Sequence, residues 1–405
     1  MDERGGDRVL ALRLREARLG AQLTQAELAE RAGLTHRNVS DLETERRGRR
    51  VEPAMLRRLA SALRVPVGYL LGDSEGPTPQ DSQAAIPFRD AAGAKDLLPF
   101  DLTRTEEFDE LGRRAEHAGI TYAAPVRCRS RNTVVNGLRL RFLEWGAPES
   151  PTVLLLHVGS GSAHEWDLVA LQLQDRYHLY ALDQRGHGDS EWARDGDYSP
   201  TAVMDDLTAF CDQQGIRSAV VIGCGLLGGL CGAMVSVERP DIAQALVLVD
   251  VGPETPPARA LVARGGANAP RSFDSLRAYI EYAVGLDPQA AVEDIRYAAT
   301  HELFRYRDGR LNTKTAPDMR PASPRSQFDQ GPRRIFLFEP EELHQPTLLV
   351  RGDLSSMVSQ EVAQRFASSL PRGELKTVAR AAHRPHEQNP REFLNAIEGF
   401  LAAQR

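Results

Sequence analysis

From residue 127 onward, apolar residues fall in short unbroken blocks: TVLLLH, YHLYALD, SAVVIG, ALVLVDV, PTLLVRG and ELKTVA. Stretches with helical spacing separate them. Such blocks predict strands buried on both faces, and their alternation with helices predicts a mostly parallel sheet with helices on each side. Ahead of them, NTVVNGLRLRFLEWG alternates around Asn136-Gly137, the pattern of a two-residue hairpin turn.

The first 72 residues follow a helical period instead. Thr24-Gln25-Ala26-Glu27 has the composition of a capping box, with Leu23 and Leu28 placed as a hydrophobic staple. Gly33 sits where a helix would stop. Thr35 starts the next helix, with Leu34 and Val39 as a second staple. Val39 and Leu42 would face inward, leaving His36, Arg37, Asn38 and Asp41 outward. Two short capped helices joined across AGLT predict a helix-turn-helix.

Between these regions, 73–102 reads as a flexible linker rich in proline, glycine, serine and alanine. In 103–126, Phe108, Leu111 and Ala115 predict a lead-in helix. It would pack on either domain or pair between protomers.

Charge separates the two ends. Residues 1–72 hold 14 arginines, no lysine and 10 acids, a balance of +4, whereas the whole chain is −6, leaving −10 for 73–405. A basic head on an acidic body implies that only the head meets a polyanion. The 41% apolar and 26% charged content is that of a soluble globular protein. With no apolar run of membrane length and no signal-peptide core, the expectation is a cytoplasmic protein that neither enters a membrane nor needs a cofactor. Cys128, Cys211, Cys224 and Cys231 show no metal-ligand spacing and read as reduced thiols.

Over residues 8–72 the chain resembles the Cro and phage-repressor helix-turn-helix family. The motifs LTQAELAERAGLTHRNVSDLETERRGR and PAMLRRLASALRVPVGYLL carry the likeness. It implies a five-helix domain, double-stranded DNA as partner and a homodimer. Thr35, His36, Arg37, Asn38 and Asp41 would then lie at the major groove. Gln25, Arg46, Arg47, Arg49 and Arg50 would contact phosphate.

Residues 127–405 resemble the α/β-hydrolase superfamily, with VLLLHVGSGSAHEWDLVA at the oxyanion loop, ALDQRGHGDS, and AAHRPHEQNPREFLNAIEGFL at the histidine loop. The likeness implies a mostly helical lid over 253–340. The stretch VVIGCGLLGGLCGAM then corresponds to the nucleophile elbow, expected as G-x-S-x-G. No serine lies between Ser218 and Ser236. Counted forward, the nucleophile position is Gly225; counted back, Leu226. The disagreement implies one extra residue, which should spoil a tight turn. Cys224 is an alternative nucleophile, or else a small buried thiol.

The usual acid position holds Ser355 and Ser356, and either serine would hydrogen-bond the imidazole. Asp250, from another strand, is the alternative acid. Val158 replaces the expected oxyanion-loop glycine, and His383 alone stands in place. The reading is therefore of a triad lacking two members. Val158, Gly159, Gly225, Leu226 and His383 would line a pocket for a small-molecule effector of a transcriptional regulator. The other reading is an active hydrolase using Cys224, or a water activated by His383 and Asp250. No metal site is expected.

Overall fold

The computed structural model describes residues 3–21, 23–43, 53–63, 65, 70, 104–253, 270, 272–286, 288, 290–306, 309–316 and 338–404. They fall into two compact units, Met1–Gly93 and Ala94–Arg405.

In the first unit, α1 (Glu3–Gly20), α2 (Gln25–Arg31), α3 (His36–Glu43) and α4 (Pro53–Leu63) surround a core of Leu10, Leu14, Leu28, Val39, Leu59 and Leu70. The capping box forms as the sequence predicts: Glu27 N–H donates to Thr24 Oγ1 at 3.2 Å, and Thr24 N–H donates to Glu27 Oε2 at 2.7 Å. Gly33 takes a left-handed φ of +59°. Arg58 of α4 clasps the turn through Ala32 O at 2.8 Å and through Gly33 O. The fifth expected helix and the linker 73–102 lie almost wholly outside the described residues.

The second unit is built on an eight-stranded sheet of order β1-β2-β4-β3-β5-β6-β10-β11. Its strands are β1 (Cys128–Val135), β2 (Leu138–Trp145), β3 (Thr152–Leu156), β4 (His178–Leu182), β5 (Ala219–Cys224), β6 (Ala243–Val249), β10 (Thr347–Gly352) and β11 (Gly373–Val378). Every block read from the sequence is a strand. Within this sheet, only β1–β2 and β2–β4 pair antiparallel. The hairpin turn has φ +49° at Asn136 and +77° at Gly137, as a primed turn requires.

Helices α6 (Asp167–Leu173), α7 (Pro200–Gln214), α8 (Leu230–Glu238), α11 (Gln360–Ser369), α12 (Pro385–Gln388) and α13 (Pro390–Ala402) join or cover the strands. Asn389 caps α13 with Pro390 in its first turn. Two apolar clusters flank the sheet. Phe142, Leu154 and Phe210 belong to one; Trp166, Leu155 and Phe393 belong to the other.

Among its described residues the lid is mostly helical, as expected, and it also carries short strands. Besides α9 (Leu276–Leu286) and α10 (Val292–Glu302), it holds a three-stranded sheet of β7 (Ser272–Phe273), β8 (Leu303–Arg305) and β9 (Leu311–Thr313), in the order β7-β9-β8. These strands are two or three residues long, too short for a period of two to show in sequence.

The lead-in helix, α5 (Arg104–His117), packs within the second unit, with Leu111 and Ala115 buried in the Trp166 cluster. Arg114 donates to Asp294 Oδ1 of lid helix α10 at 2.9 and 3.1 Å. Its guanidinium also lies 3.9 Å from the centre of the Tyr297 ring. Tyr297 in turn donates to Asp167 Oδ2 at 2.5 Å.

Candidate functional site

At the end of β5 the chain turns sharply. Gly225 has φ +61°, the left-handed conformation that an elbow imposes on its nucleophile. A Cβ built on Gly225 would lie 3.3 Å from His383 Nε2. Gly225 therefore occupies the nucleophile position, and the forward count was the right one.

The extra residue is present, but it does not spoil the turn. Gly225–Gly229 forms one π-helical turn ahead of α8, with Leu230 N–H reaching Gly225 O five residues back. The surplus is thus absorbed one step downstream. Gly228 permits this, because a Cβ there would lie 2.2 Å from Leu156 O.

The acid is also present. His383 Nδ1 lies 2.8 Å from Asp250 Oδ2. Asp250 closes β6 with φ +49° and a fully buried side chain. Ser355, at the usual acid position, donates to Asp250 Oδ2 at 2.7 Å rather than to the imidazole. The expectation of two missing members is corrected: a histidine–carboxylate pair stands, and only the nucleophile is absent. Sequence spacing assigns the acid to one loop, whereas two neighbouring strand ends can both reach the same imidazole.

Two further groups fill what a hydrolase keeps open. Val158 Cγ2 lies 2.6 Å from the Cβ position of residue 225, so any side chain there would collide with it. The Val158 N–H, in the loop that supplies an oxyanion donor, instead donates to Glu165 Oε1 at 2.9 Å. Burial pushes the Glu165 carboxyl up to about 8, against the pull of Arg384. No sequence signal marked Glu165, because an internal acceptor for a loop amide has no fixed spacing.

Cys224 is not placed as an activated nucleophile. Its thiol is fully buried and directed at the His383 backbone oxygen, 3.8 Å away, rather than at the ring. Burial raises its pKa well above the usual thiol range, the reverse of an activated cysteine. Of the proposed pocket residues, Val158, Gly225 and His383 converge at one point, Leu226 follows half-buried, and the missing side chain of Gly159 faces open space.

On α3, His36 and Arg37 are exposed. Asn38 is turned partly to the helix cap: its Oδ1 accepts from the Thr35 N–H at 3.1 Å and from Thr35 Oγ1 at 2.5 Å. Asp41 is half-buried, with Arg37 3.7 Å away. Gln25 donates to Glu43 Oε2 at 2.8 Å, which fixes it beside the buried Arg18–Glu43 pair. Arg46, Arg47, Arg49 and Arg50 lie outside the described residues.

Residues 151–390 match the α/β hydrolase fold family, and the chain belongs to it. Residues 14–70 match the helix-turn-helix family, so the protein is a helix-turn-helix domain fused to a hydrolase-fold domain. An esterase of Mycobacterium tuberculosis is 27% identical over 314 residues, covering 74% of this chain and 97% of that one. A 2-(acetamidomethylene)succinate hydrolase of Mesorhizobium japonicum is 26% identical over 276 residues, 68% of this chain and 95% of its own. Among solved structures, that M. tuberculosis esterase superposes with a TM-score of 0.58 at 26% identity, covering 75% of this chain and all of the esterase. No described helix is long and apolar enough to cross a membrane.

Proposed function

We propose that this chain is a DNA-binding transcriptional regulator whose hydrolase-fold domain has given up catalysis and senses a small-molecule effector at the former active site. The helix-turn-helix domain supports DNA as the partner. The observation that carries the loss of catalysis is Val158, whose side chain takes the space a nucleophile would need above Gly225. The effector lies against Leu226, Gly159 and His383, whose Nε2 faces Gly225. The regulator acts as a cytoplasmic homodimer, since helix-turn-helix domains read paired half-sites about 34 Å apart.

Coupling runs through the lid. The linker 73–102 leads into α5, and Arg114 of α5 is tied to α10 of the lid. An effector that shifts α10 therefore shifts α5, the element that follows the linker in the chain. Arg114→Ala is expected to leave effector binding within about 3-fold of the parent. It should also shrink the effector's shift in DNA affinity, which for allosteric pairs is roughly 5–150-fold, to less than about 2-fold. Calorimetry for the effector and anisotropy for labelled DNA measure the two. An unchanged shift would remove this route.

A second reading rests on the 2.8 Å His383–Asp250 pair, which would activate a water as general base. A panel of esters, lactones and epoxides separates the two readings. No turnover above solvent supports the sensor. Turnover abolished by His383→Ala establishes an enzyme.

A further inference from the structure

Beneath the former active site, three side chains from separate elements meet in the interior. Glu165 comes from the turn before α6, Cys224 from the end of β5 and His386 from α12. One carboxylate oxygen, the Cys224 Sγ and one His386 ring nitrogen all lie within 4.8 Å of one another, and all three residues are buried.

These donors are under-used. Neither ring nitrogen of His386 makes a hydrogen bond, nor does Glu165 Oε2, although His386 is fully buried. His386 Nε2 stands 3.3 Å from Glu165 Oε1, which already accepts the Val158 N–H. A buried imidazole with neither nitrogen hydrogen-bonded is costly unless something else engages it. Trp166 stacks on its ring at 4.1 Å and holds its plane.

A second trio, His164, Asp167 and His301, provides a contrast. There, His164 Nδ1 is engaged by Asp167 at 2.7 Å, and Nε2 accepts from Arg141 at 2.7 Å. Both ring nitrogens of His164 are thus engaged, one of them by a guanidinium, although Asp167 Oδ1 makes no hydrogen bond.

We propose that Glu165, Cys224 and His386 form a binding site for a zinc-class divalent transition metal. The set offers one soft, one borderline and one hard donor. Zinc and cobalt accept such a set, whereas magnesium and calcium do not. Three protein ligands leave a fourth position open, as in sites that also bind an exogenous ligand. Glu165 Oε2 is the carboxylate ligand, leaving Oε1 on the Val158 amide. Metal–ligand bonds of roughly 2.0–2.3 Å require the donors to close in by up to about 1 Å. The Cys224 thiol and the protonated Glu165 carboxyl both give up their protons to solvent as their bonds to the metal form.

The test uses the full chain, stripped with a chelator and titrated with Co²⁺. The site predicts one equivalent bound with a thiolate-to-cobalt charge-transfer band, displaced by Zn²⁺. Cys224→Ser should abolish the band and weaken Co²⁺ binding by about 100-fold or more, beyond the loss typical of supporting residues. Cys128→Ser should change neither. His386→Gln provides a second variant in case Cys224→Ser does not fold, with circular dichroism confirming the fold of each. Cobalt bound without a thiolate band, no binding at all, or full affinity in folded Cys224→Ser or His386→Gln protein would overturn the proposal.

Discussion

The double variant Gly225→Ser/Val158→Gly is expected to form a covalent adduct with a phosphonate probe and to hydrolyse a nitrophenyl ester at least about 100-fold faster than the parent. The base and its orienting acid are already in place at 2.8 Å, and position 225 has the elbow conformation. What is missing is a hydroxyl and the room for it. Gly225→Ser alone should be inactive. It places a Cβ 2.6 Å from Val158 Cγ2 and at φ +61°. Left-handed backbone and overpacking together should cost about 2–4 kcal/mol. Turnover stays modest even in the double variant, because Glu165 still occupies the Val158 amide. A stable, active single variant would show that Val158 does not close the site.

Arg18→Ala is expected to cost the head about 3–5 kcal/mol and, with it, DNA binding. Arg18 donates to both Glu43 oxygens, at 2.6 and 2.8 Å, and the Glu43 side chain is only 2% exposed. Removing the guanidinium leaves the carboxylate with the Gln25 hydrogen bond and the weaker pull of Arg15. Far-ultraviolet circular dichroism through urea unfolding reads the loss; a head as stable as the parent would contradict it.

The same pair sets the acid limit. Burial pushes the Glu43 carboxyl up, but the hydrogen bonds from Arg18 and Gln25 outweigh it and hold the group below its usual value. A carboxylate lowered by folding stabilises above its unfolded pKa of about 4.3 and loses that contribution as pH falls toward the native value. The head should therefore weaken below about pH 4.5, and less so in Glu43→Gln.

Much of the fold was legible because local signals agreed. The strand blocks, the Asn136-Gly137 turn, the Thr24 and Asn389 caps and the Gly33 stop all appear where the pattern puts them. The lid sheet was not legible, since β7, β8 and β9 are too short to carry a period. At the site, the sequence places the nucleophile position at Gly225 or Leu226, and the structure brings Gly225 to His383, but the sequence reading gives little weight to Asp250. That residue's role depends on neighbouring strand ends meeting one imidazole, and chain spacing does not encode such a meeting. Glu165 escaped for the same reason, since it acts through contacts between distant elements. Asn38 reads as a base contact by helix phase, yet its oxygen also completes a cap, because three-residue spacing serves both uses.

The most direct test is the affinity of the full chain for the DNA upstream of its own gene, measured by anisotropy with and without candidate effectors. The regulator reading predicts specific binding, roughly 10³-fold or more tighter than to unrelated DNA at physiological salt. It also predicts that at least one small molecule shifts this affinity by about 5-fold or more. Equal affinity for unrelated DNA, with no response to any effector, would contradict it.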